Sequence, residues 1–353
     1  MEKKAKEYNR YTVLDAFKCF FWLLIVTALV SIVFQIVLLI VSKSLGQVYA
    51  ELLETETVSL ISCILSPVSM IVFFFAYNGI RKVKNREAIT DGEKVSLLPI
   101  SISIVLAIIC IFLFTPLMNL INTLFESSGY VVDNTIPLQN LMANDIGYFL
   151  LGLLIYALLP AIAEELIFRG IIQTSLSTRY KGFVTIIIST LLFVLMHGSL
   201  NQTFYQFIVG IMLSYLALVG GSIVYSIILH FLNNALVVVF SCFDIVAYLS
   251  ASEAVYYNIF SMIFPVTIFL LGAALVAVLF WVLKYLRNKN FFRLDEHGKF
   301  ITIDKDAVAK INAEKVGFKG FFSSMNYNEK IYSIVSFIII MVIWISNTIT
   351  GFM

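Results

Sequence analysis

The chain has 353 residues, of which 60% are hydrophobic and only 13% are charged, and its mean hydropathy is +0.94. Soluble domains carry about 25% charged residues, so this composition excludes a soluble globular protein. The formal net charge of +2 is small and segregated into short loops, which excludes a nucleic-acid-binding surface. The composition predicts an all-α polytopic integral membrane protein whose partner is the lipid bilayer.

Apolar runs of membrane-spanning length occupy most of the chain, and about nine of them are expected to be transmembrane helices. The predicted divisions, in chain order, are an N-terminal cytoplasmic arm at 1–18, three helices within 19–125, a core of four helices at 146–243, an eighth helix at 254–283, a basic cytoplasmic segment at 284–330 and a last helix at 331–353.

The count of four core helices depends on one long run. Residues 182 to 243 include no Asp, Glu, Lys or Arg. As a single helix this run would be about 93 Å long, roughly three times the 30 Å hydrocarbon core, so it must fold back twice. The small residues of Gly198–Gln202 and Gly220–Ser222 predict the two turns, because glycine and small polar residues interrupt helices.

The basic residues predict the orientation. With nine helices and an inner N-terminus, 23 of the 24 Lys and Arg residues fall on one side, and only Lys43 lies outside. Because short cytoplasmic loops are rich in Lys and Arg, we expect a multi-pass protein of the cell membrane with a cytoplasmic N-terminus and an outer C-terminus. The basic segment is interpreted as a solvated linker, in which Val316–Phe322 suits an anionic membrane surface.

Charged side chains are costly inside a bilayer and usually mark function, and the fourth apolar run ends in Glu164, Glu165 and Arg169. Glu165 and Arg169 are four positions apart, so they share a helix face and neutralise each other. Glu164 lies about 100° around the helix and points elsewhere. The spacing predicts one ion-paired carboxylate beside one free carboxylate. The structural alternative is an arginine clamp between helices, or a helix end at which both acids reach water.

Two of the three histidines lie in the uncharged run. His197 follows Phe193 by four positions, and Asn234 follows His230 by four, so each pair shares a helix face. A single histidine on an apolar face is more often a core residue than a catalyst. Here each histidine has a polar or aromatic companion, which favours a functional group.

The depths of these side chains favour a common site. Helical arms of about 22 and 24 Å from the basic turn at 179–181 place Glu164 and His197 at matched depth. A carboxylate and an imidazole that face each other can activate water, and His230 and Asn234 offer N–H donors to an oxyanion. These residue types predict hydrolysis of an acyl bond, most naturally a peptide bond.

Three motifs therefore occur in order along the chain: Glu164-Glu165-x-x-x-Arg169, Phe193-x-x-x-His197 and His230-x-x-x-Asn234. Together they resemble the pattern of the CPBP intramembrane proteases, which include the type II CAAX prenyl endopeptidases and bacterial bacteriocin-processing or Abi proteins. The resemblance covers roughly residues 146–243 and implies a CPBP-like catalytic core there.

The resemblance also implies a role for each motif residue. Glu164 activates the water with His197, and His230 and Asn234 hold the oxyanion. The supporting residues are Glu165, Arg169 and Phe193. The implied activity is that of an intramembrane endopeptidase acting on a peptide or protein substrate, with lipid modification of that substrate left open.

Several alternatives remain open from the sequence. Glu164, His197 and His230 form a reasonable three-ligand set for zinc, but Asn234 beside His230 suits an oxyanion hole better, so we expect no cofactor. A proton- or ion-coupled transporter would use the same ionisable residues as a relay, although repeat symmetry is missing. A non-catalytic immunity or scaffold protein is the third alternative.

Overall fold

The computed structural model describes residues 10–46, 48–53, 55–90, 95–132, 136, 139–243, 263–288 and 313–352. Within these ranges the regular structure is helical, and the only β-type pairings are two isolated bridges, Thr90 with Ser222 and Tyr180 with Val316. The expected all-α polytopic class is confirmed.

Nine main helices follow one another along the described chain. They are α1 (Val13–Leu45), α2 (Glu56–Arg81), α3 (Leu97–Ser127), α4 (Ile146–Ser177), α5 (Gly182–His197), α6 (Leu200–Gly220), α7 (Ile223–Cys242), α8 (Ile263–Asn288) and α9 (Tyr327–Thr350). Eight of them are long and apolar enough to cross a membrane, and α5 is a shorter apolar helix of 16 residues. Residues 254–262 of the predicted eighth helix and 289–312 of the basic segment lie outside the described residues.

The helix ends follow from local sequence. Thr12 with Asp15 and Asn326 with Glu329 form capping boxes that begin α1 and α9. The long uncharged run turns at Gly198 and Gly221, which adopt the left-handed conformation with φ of 63° and 79°. Both turns occur where the small residues predict them, although the first is only two residues long, because α6 already begins at Leu200.

The helices α3 and α4 contain stretches of π-helix, in which each turn holds more residues than an α-helical turn. In α4 these stretches are Leu153–Leu158 and Leu166–Gln173. The second one begins directly after Glu165 and runs through Gly170, so α4 widens beside the two glutamates instead of breaking at the glycine. Stretches of this kind are frequent at functional sites.

Polar contacts define the two ends of the bundle. At one end Asp15 pairs with Arg81, and the Lys18 ammonium lies 5.4 Å from the centre of the Tyr332 ring. At the opposite end the Val131 amide donates to the Gly351 carbonyl at 2.7 Å. The segments that carry most of the basic residues therefore share one end, and which side of the membrane that end faces remains a prediction.

The described part of the basic segment is not a solvated linker. Val316 pairs with the turn between α4 and α5, and Phe321, Met325 and Glu329 are buried. These contacts join residues far apart in the sequence, which explains why helical periodicity gave no sign of them.

The interior of the bundle holds the polar motifs. Helix α5 packs on α6, α6 packs on α7, and α7 packs on both α3 and α4. Helix α2 covers α4 from another side. The fully buried rings of Phe168 and Phe193 meet edge to face, with centroids 5.3 Å apart. The charged residues of α4 therefore sit among apolar helices, while large apolar side chains on the outer faces are available to lipid.

Candidate active site

Glu165 is the centre of a buried ionic network. Its Oε1 atom accepts a hydrogen bond from Arg169 Nη1 at 2.7 Å, and the side chains of both residues are completely buried. The same oxygen lies 3.1 Å from His230 Nδ1. The predicted ion pair is present, and it joins α4 to α7 as well as neutralising two charges.

Arg169 is held on its other side by the neighbouring helices. Its Nη2 atom donates to the Gly210 carbonyl at 3.2 Å, and its guanidinium lies 4.3 Å from the centre of the Phe193 ring. A Cβ atom at position 210 would lie 2.9 Å from Thr190 Cγ2 and 3.3 Å from Phe193 Cδ1. Only glycine lets α6 approach Arg169 this closely without moving its neighbours.

Glu164 has a different environment from Glu165. Its side chain is 20% exposed, and its Oε2 atom lies 3.8 Å from Nε2 of His197 and 3.8 Å from Nε2 of His230. This Oε2 atom is buried and has no hydrogen-bond partner. The structure thus brings the Glu164 carboxylate and both predicted histidines together. A buried acceptor of this kind is normally satisfied by a hydrogen-bond donor.

The second ring nitrogen of each histidine is also engaged. His197 Nδ1 lies 2.9 Å from the Phe193 carbonyl, which can only accept, so the Nδ1 atom carries a proton. In the neutral ring Nε2 then presents a lone pair towards Glu164. His230 Nδ1 donates to the Glu165 carboxylate. Phe193 therefore contributes its backbone oxygen to His197 and its ring to Arg169.

Asn234 lies one turn beyond His230 on α7 and is half-buried. Its Oδ1 atom accepts from Asn233 Nδ2 at 3.4 Å, and Asn233 in turn accepts from the Tyr205 hydroxyl at 2.5 Å. Sequence reasoning missed Asn233 and Tyr205, and the adjacent Asn233-Asn234 pair was the only signal for them. Because the Asn234 amide oxygen is engaged in this way, Asn234 can offer a ligand the N–H groups of its amide nitrogen.

A cavity of about 230 Å³ lies between α2 and α4, with Glu164 in its wall. The other lining residues are Cys63, Ser66, Pro67, Met70, Ile155, Tyr156 and Pro160. The wall is mainly apolar, and the buried Tyr156 hydroxyl makes no hydrogen bond. A hydrophobic ligand in this cavity would reach the Glu164 carboxylate directly.

The three residues considered for zinc lie slightly farther apart than the ligands of one tetrahedral ion. Tetrahedral ligands on one zinc ion lie roughly 3.3 Å apart, since each bond is about 2.0–2.1 Å. Glu164 Oε2 is 3.8 Å from each histidine Nε2. Across the described residues no group of three or more His, Cys, Asp or Glu side chains is arranged to hold a metal ion. Independence from a cofactor remains a prediction to be tested by chelation.

Residues 146–236 match the family model described as type II CAAX prenyl endopeptidase, Rce1-like. This segment is similar to that family, and we call it the Rce1-like domain. It covers about a quarter of the chain and includes every residue of the three motifs. The match agrees with the resemblance to the CPBP proteases and supports protease activity at the level of the family. Neither a curated protein nor a solved structure matches the chain.

Proposed function

We propose that the protein is an intramembrane endopeptidase that hydrolyses a peptide bond with water activated by Glu164 and His197. The observation that carries this proposal is the convergence of Glu164 Oε2 with the Nε2 lone pair of neutral His197 and with His230 Nε2, each at 3.8 Å. Two acceptors at this separation can be bridged by one water molecule that donates a hydrogen to each. A bound water between a carboxylate and an imidazole is poised for general-base catalysis.

The charges around Glu164 suggest how His230 takes part. Ionised Glu164 and Glu165 beside one Arg169 leave a net charge of −1 in an apolar interior, which is unfavourable. His230 lies between the two carboxylates, so one proton on this ring makes the cluster neutral. The Nε2–H group of that imidazolium then points into the site as a donor for an oxyanion.

The proposed reaction proceeds by attack of water on the scissile carbonyl carbon. Glu164 accepts a proton from the water as the new C–O bond forms, and the carbonyl oxygen becomes an oxyanion. His230 Nε2–H and the Asn234 amide stabilise this oxyanion. When the C–N bond breaks, the proton held by Glu164 passes to the leaving amine, and the products are a carboxylic acid and an amine, which become a carboxylate and an ammonium when the acid proton is transferred.

The cavity indicates the class of substrate. Met70, Ile155 and Pro160 give it apolar walls, and Glu164 lies at its edge. We infer that a peptide enters between α2 and α4 and places an apolar side chain or an attached lipid against these walls. The Rce1-like domain makes prenylated peptides one substrate class to test beside unmodified peptides.

The test uses the full chain in lipid nanodiscs, a panel of prenylated and unmodified peptides, and water enriched in ¹⁸O. We expect cleavage products whose new carboxylate contains one ¹⁸O atom, and none from Glu164→Gln. Glu126→Gln is the matched control, because Glu126 is exposed at the end of α3. Absence of cleavage in the wild type across the panel, together with proton-driven flux in liposomes, would favour a transporter instead.

The proposed mechanism requires no metal. We expect unchanged turnover after extensive dialysis against a chelator, because the protons are transferred by Glu164 and the histidines alone. Stoichiometric zinc in the purified protein, with activity lost on its removal and regained on its return, would contradict the metal-free mechanism.

We further propose that the end of the bundle carrying Arg81, Arg179 and Glu329 faces the cytoplasm of a cell-membrane protein, with the N-terminus there and the C-terminus outside. The support is the bias of basic residues towards this end. Single cysteines at Ser127 and Glu314, in a background without the native cysteines, should react with an impermeant maleimide in intact cells only at position 127. Labelling at position 314 in intact cells would reverse the orientation.

A further inference from the structure

The residues that precede α9 dock on the turn between α4 and α5. We refer to Glu314–Asn326 as the C-terminal strap. The Val316 amide donates to the Arg179 carbonyl at 3.0 Å, and the Lys181 amide donates back to the Val316 carbonyl at 3.0 Å. The fully buried Tyr180 ring packs against the Phe321 ring at a tilt of 43°, with centroids 4.9 Å apart. The turn is therefore covered by a segment more than 130 residues later in the chain.

A partly buried ion pair fixes the turn to the start of α9, directly after the strap. Arg179 donates to both carboxylate oxygens of Glu329, at 2.6 and 2.9 Å, and to the Ser324 carbonyl at 3.1 Å. The Glu329 side chain is only 2% exposed. The hydrogen bonds from Arg179 to Glu329 raise the pKa of Arg179, which keeps its guanidinium charged. Glu329 also completes the capping box of α9, which links the turn rigidly to that helix.

Helix α9 also reaches the turn between α5 and α6 and the first residues of α6. Trp344 Nε1 donates to Thr203 Oγ1 at 3.2 Å. A Cβ atom at Gly198 would lie 2.8 Å from Asn347 Nδ2, so Asn347 lies directly against the residue after His197. The C-terminal region thus touches α5 at its first turn and just beyond its last residue.

His197 depends on the position of α5 more than His230 depends on α7. It is the last residue of α5, its ring bonds only the Phe193 carbonyl one turn earlier, and its side chain is 19% exposed. His230 is 4% exposed and is bonded to Glu165 on another helix. A shift of α5 along α4 would therefore carry His197 away from Glu164 with no side chain to hold it back.

We propose that the C-terminal strap and α9 position His197 against Glu164, and that Arg179 and Glu329 are positioning residues for the reaction. This inference rests on the proposed function. It gives a role to a region outside the Rce1-like domain at 146–236. Small displacements of a reacting group lower turnover strongly, by about 10²-fold for 1 Å.

The first helix provides a matched control pair. Asp15 pairs with Arg81 at the same end of the bundle. The two acidic side chains, Asp15 and Glu329, are each 2% exposed, and Arg81 is 35% exposed against 33% for Arg179. Asp15 also completes a capping box, at the start of α1. Arg81 ends α2, which packs mainly on α1 and α4, so loss of this pair should lower stability and affect His197 less than loss of the Glu329 pair does.

The test compares Glu329→Gln with Asp15→Asn in the full chain in nanodiscs, with Arg179→Lys as a milder second variant. We expect Glu329→Gln to lower kcat about tenfold per folded molecule, with KM within twofold, and Arg179→Lys to lower kcat less. Asp15→Asn should leave kcat within twofold at a similar loss of melting temperature. Equal kcat losses in Glu329→Gln and Asp15→Asn would overturn the positioning role.

A second readout separates this inference from the proposed function. In protein with ¹³C-labelled histidine, the resonance assigned through His197→Gln should shift or broaden in Glu329→Gln and stay in place in Asp15→Asn. This outcome supports the positioning role even if the wild type cleaves no peptide, which would refute the proposed function alone. An unmoved His197 resonance in Glu329→Gln would refute the positioning role whatever the activity.

Discussion

The two sides of α4 at positions 164 and 165 differ in almost every physical respect. On the Glu165 side a buried carboxylate is bonded to a guanidinium of its own helix and to an imidazole of α7, and the guanidinium also binds a carbonyl of α6. On the Glu164 side the carboxylate is 20% exposed, faces two histidine nitrogens at 3.8 Å and belongs to a residue that lines a cavity. Two adjacent residues of the same type are thus separated into a structural role and a chemical role by what surrounds them.

The Glu165 side should dominate stability. Glu165→Gln leaves Arg169 as an unpaired buried charge, which costs roughly 3–5 kcal/mol of unfolding free energy. The variant should show a large drop in melting temperature in nanodiscs, whereas Glu126→Gln on the surface should stay within about 0.5 kcal/mol of the wild type. A Glu165→Gln protein as stable as the wild type would show that Glu165 does not stabilise the buried charge of Arg169, and would contradict its structural role.

The two histidines should also differ in role, with His197 important for activity and His230 important for both activity and stability. His197→Gln should lower kcat/KM by about 10²-fold or more with little change in melting temperature, because its ring bonds only a carbonyl of its own helix. His230→Gln should lower both activity and stability, since Glu165 loses a buried partner. Equal destabilisation by the two substitutions would contradict the distinction.

A smaller effect is expected at Gly210. An alanine there would press on Thr190 and Phe193 and disturb the carbonyl that binds Arg169, at a cost of about 1–3 kcal/mol. The control is Gly79→Ala in α2, where nothing lies within 4 Å of the added methyl group. That substitution should stabilise the helix by roughly 0.5–1 kcal/mol. Comparable melting temperatures for the two variants would show that α6 is not held close to Arg169.

Much of the site geometry could be predicted because it depends on short spacings. The separation of four residues between Glu165 and Arg169 predicted their ion pair. Helix lengths counted from the turn at 179–181 predicted that Glu164 lies close to His197. The fold class followed from composition alone. These features are local, or follow from one hairpin, so a helical repeat is enough to place them.

The remaining features depend on contacts between distant residues. The bond from Arg169 to the Gly210 carbonyl requires the packing of α6 on α4, and no side chain at position 210 signals it. The strap docks on Tyr180, but the sequence predicted a linker there, because the apolar residues of this segment follow no helical period. The π-helical turn after Glu165 likewise has no distinct composition.

The most direct test of the account is the paired measurement of cleavage rate and melting temperature in Glu164→Gln. Gln keeps the size of the side chain but cannot accept the proton from water. The account predicts a loss of kcat/KM of roughly 10³-fold, within the range of general-base catalysis, at an unchanged melting temperature. A well-folded Glu164→Gln protein that cleaves peptide at the wild-type rate would contradict the assignment of Glu164 as the base.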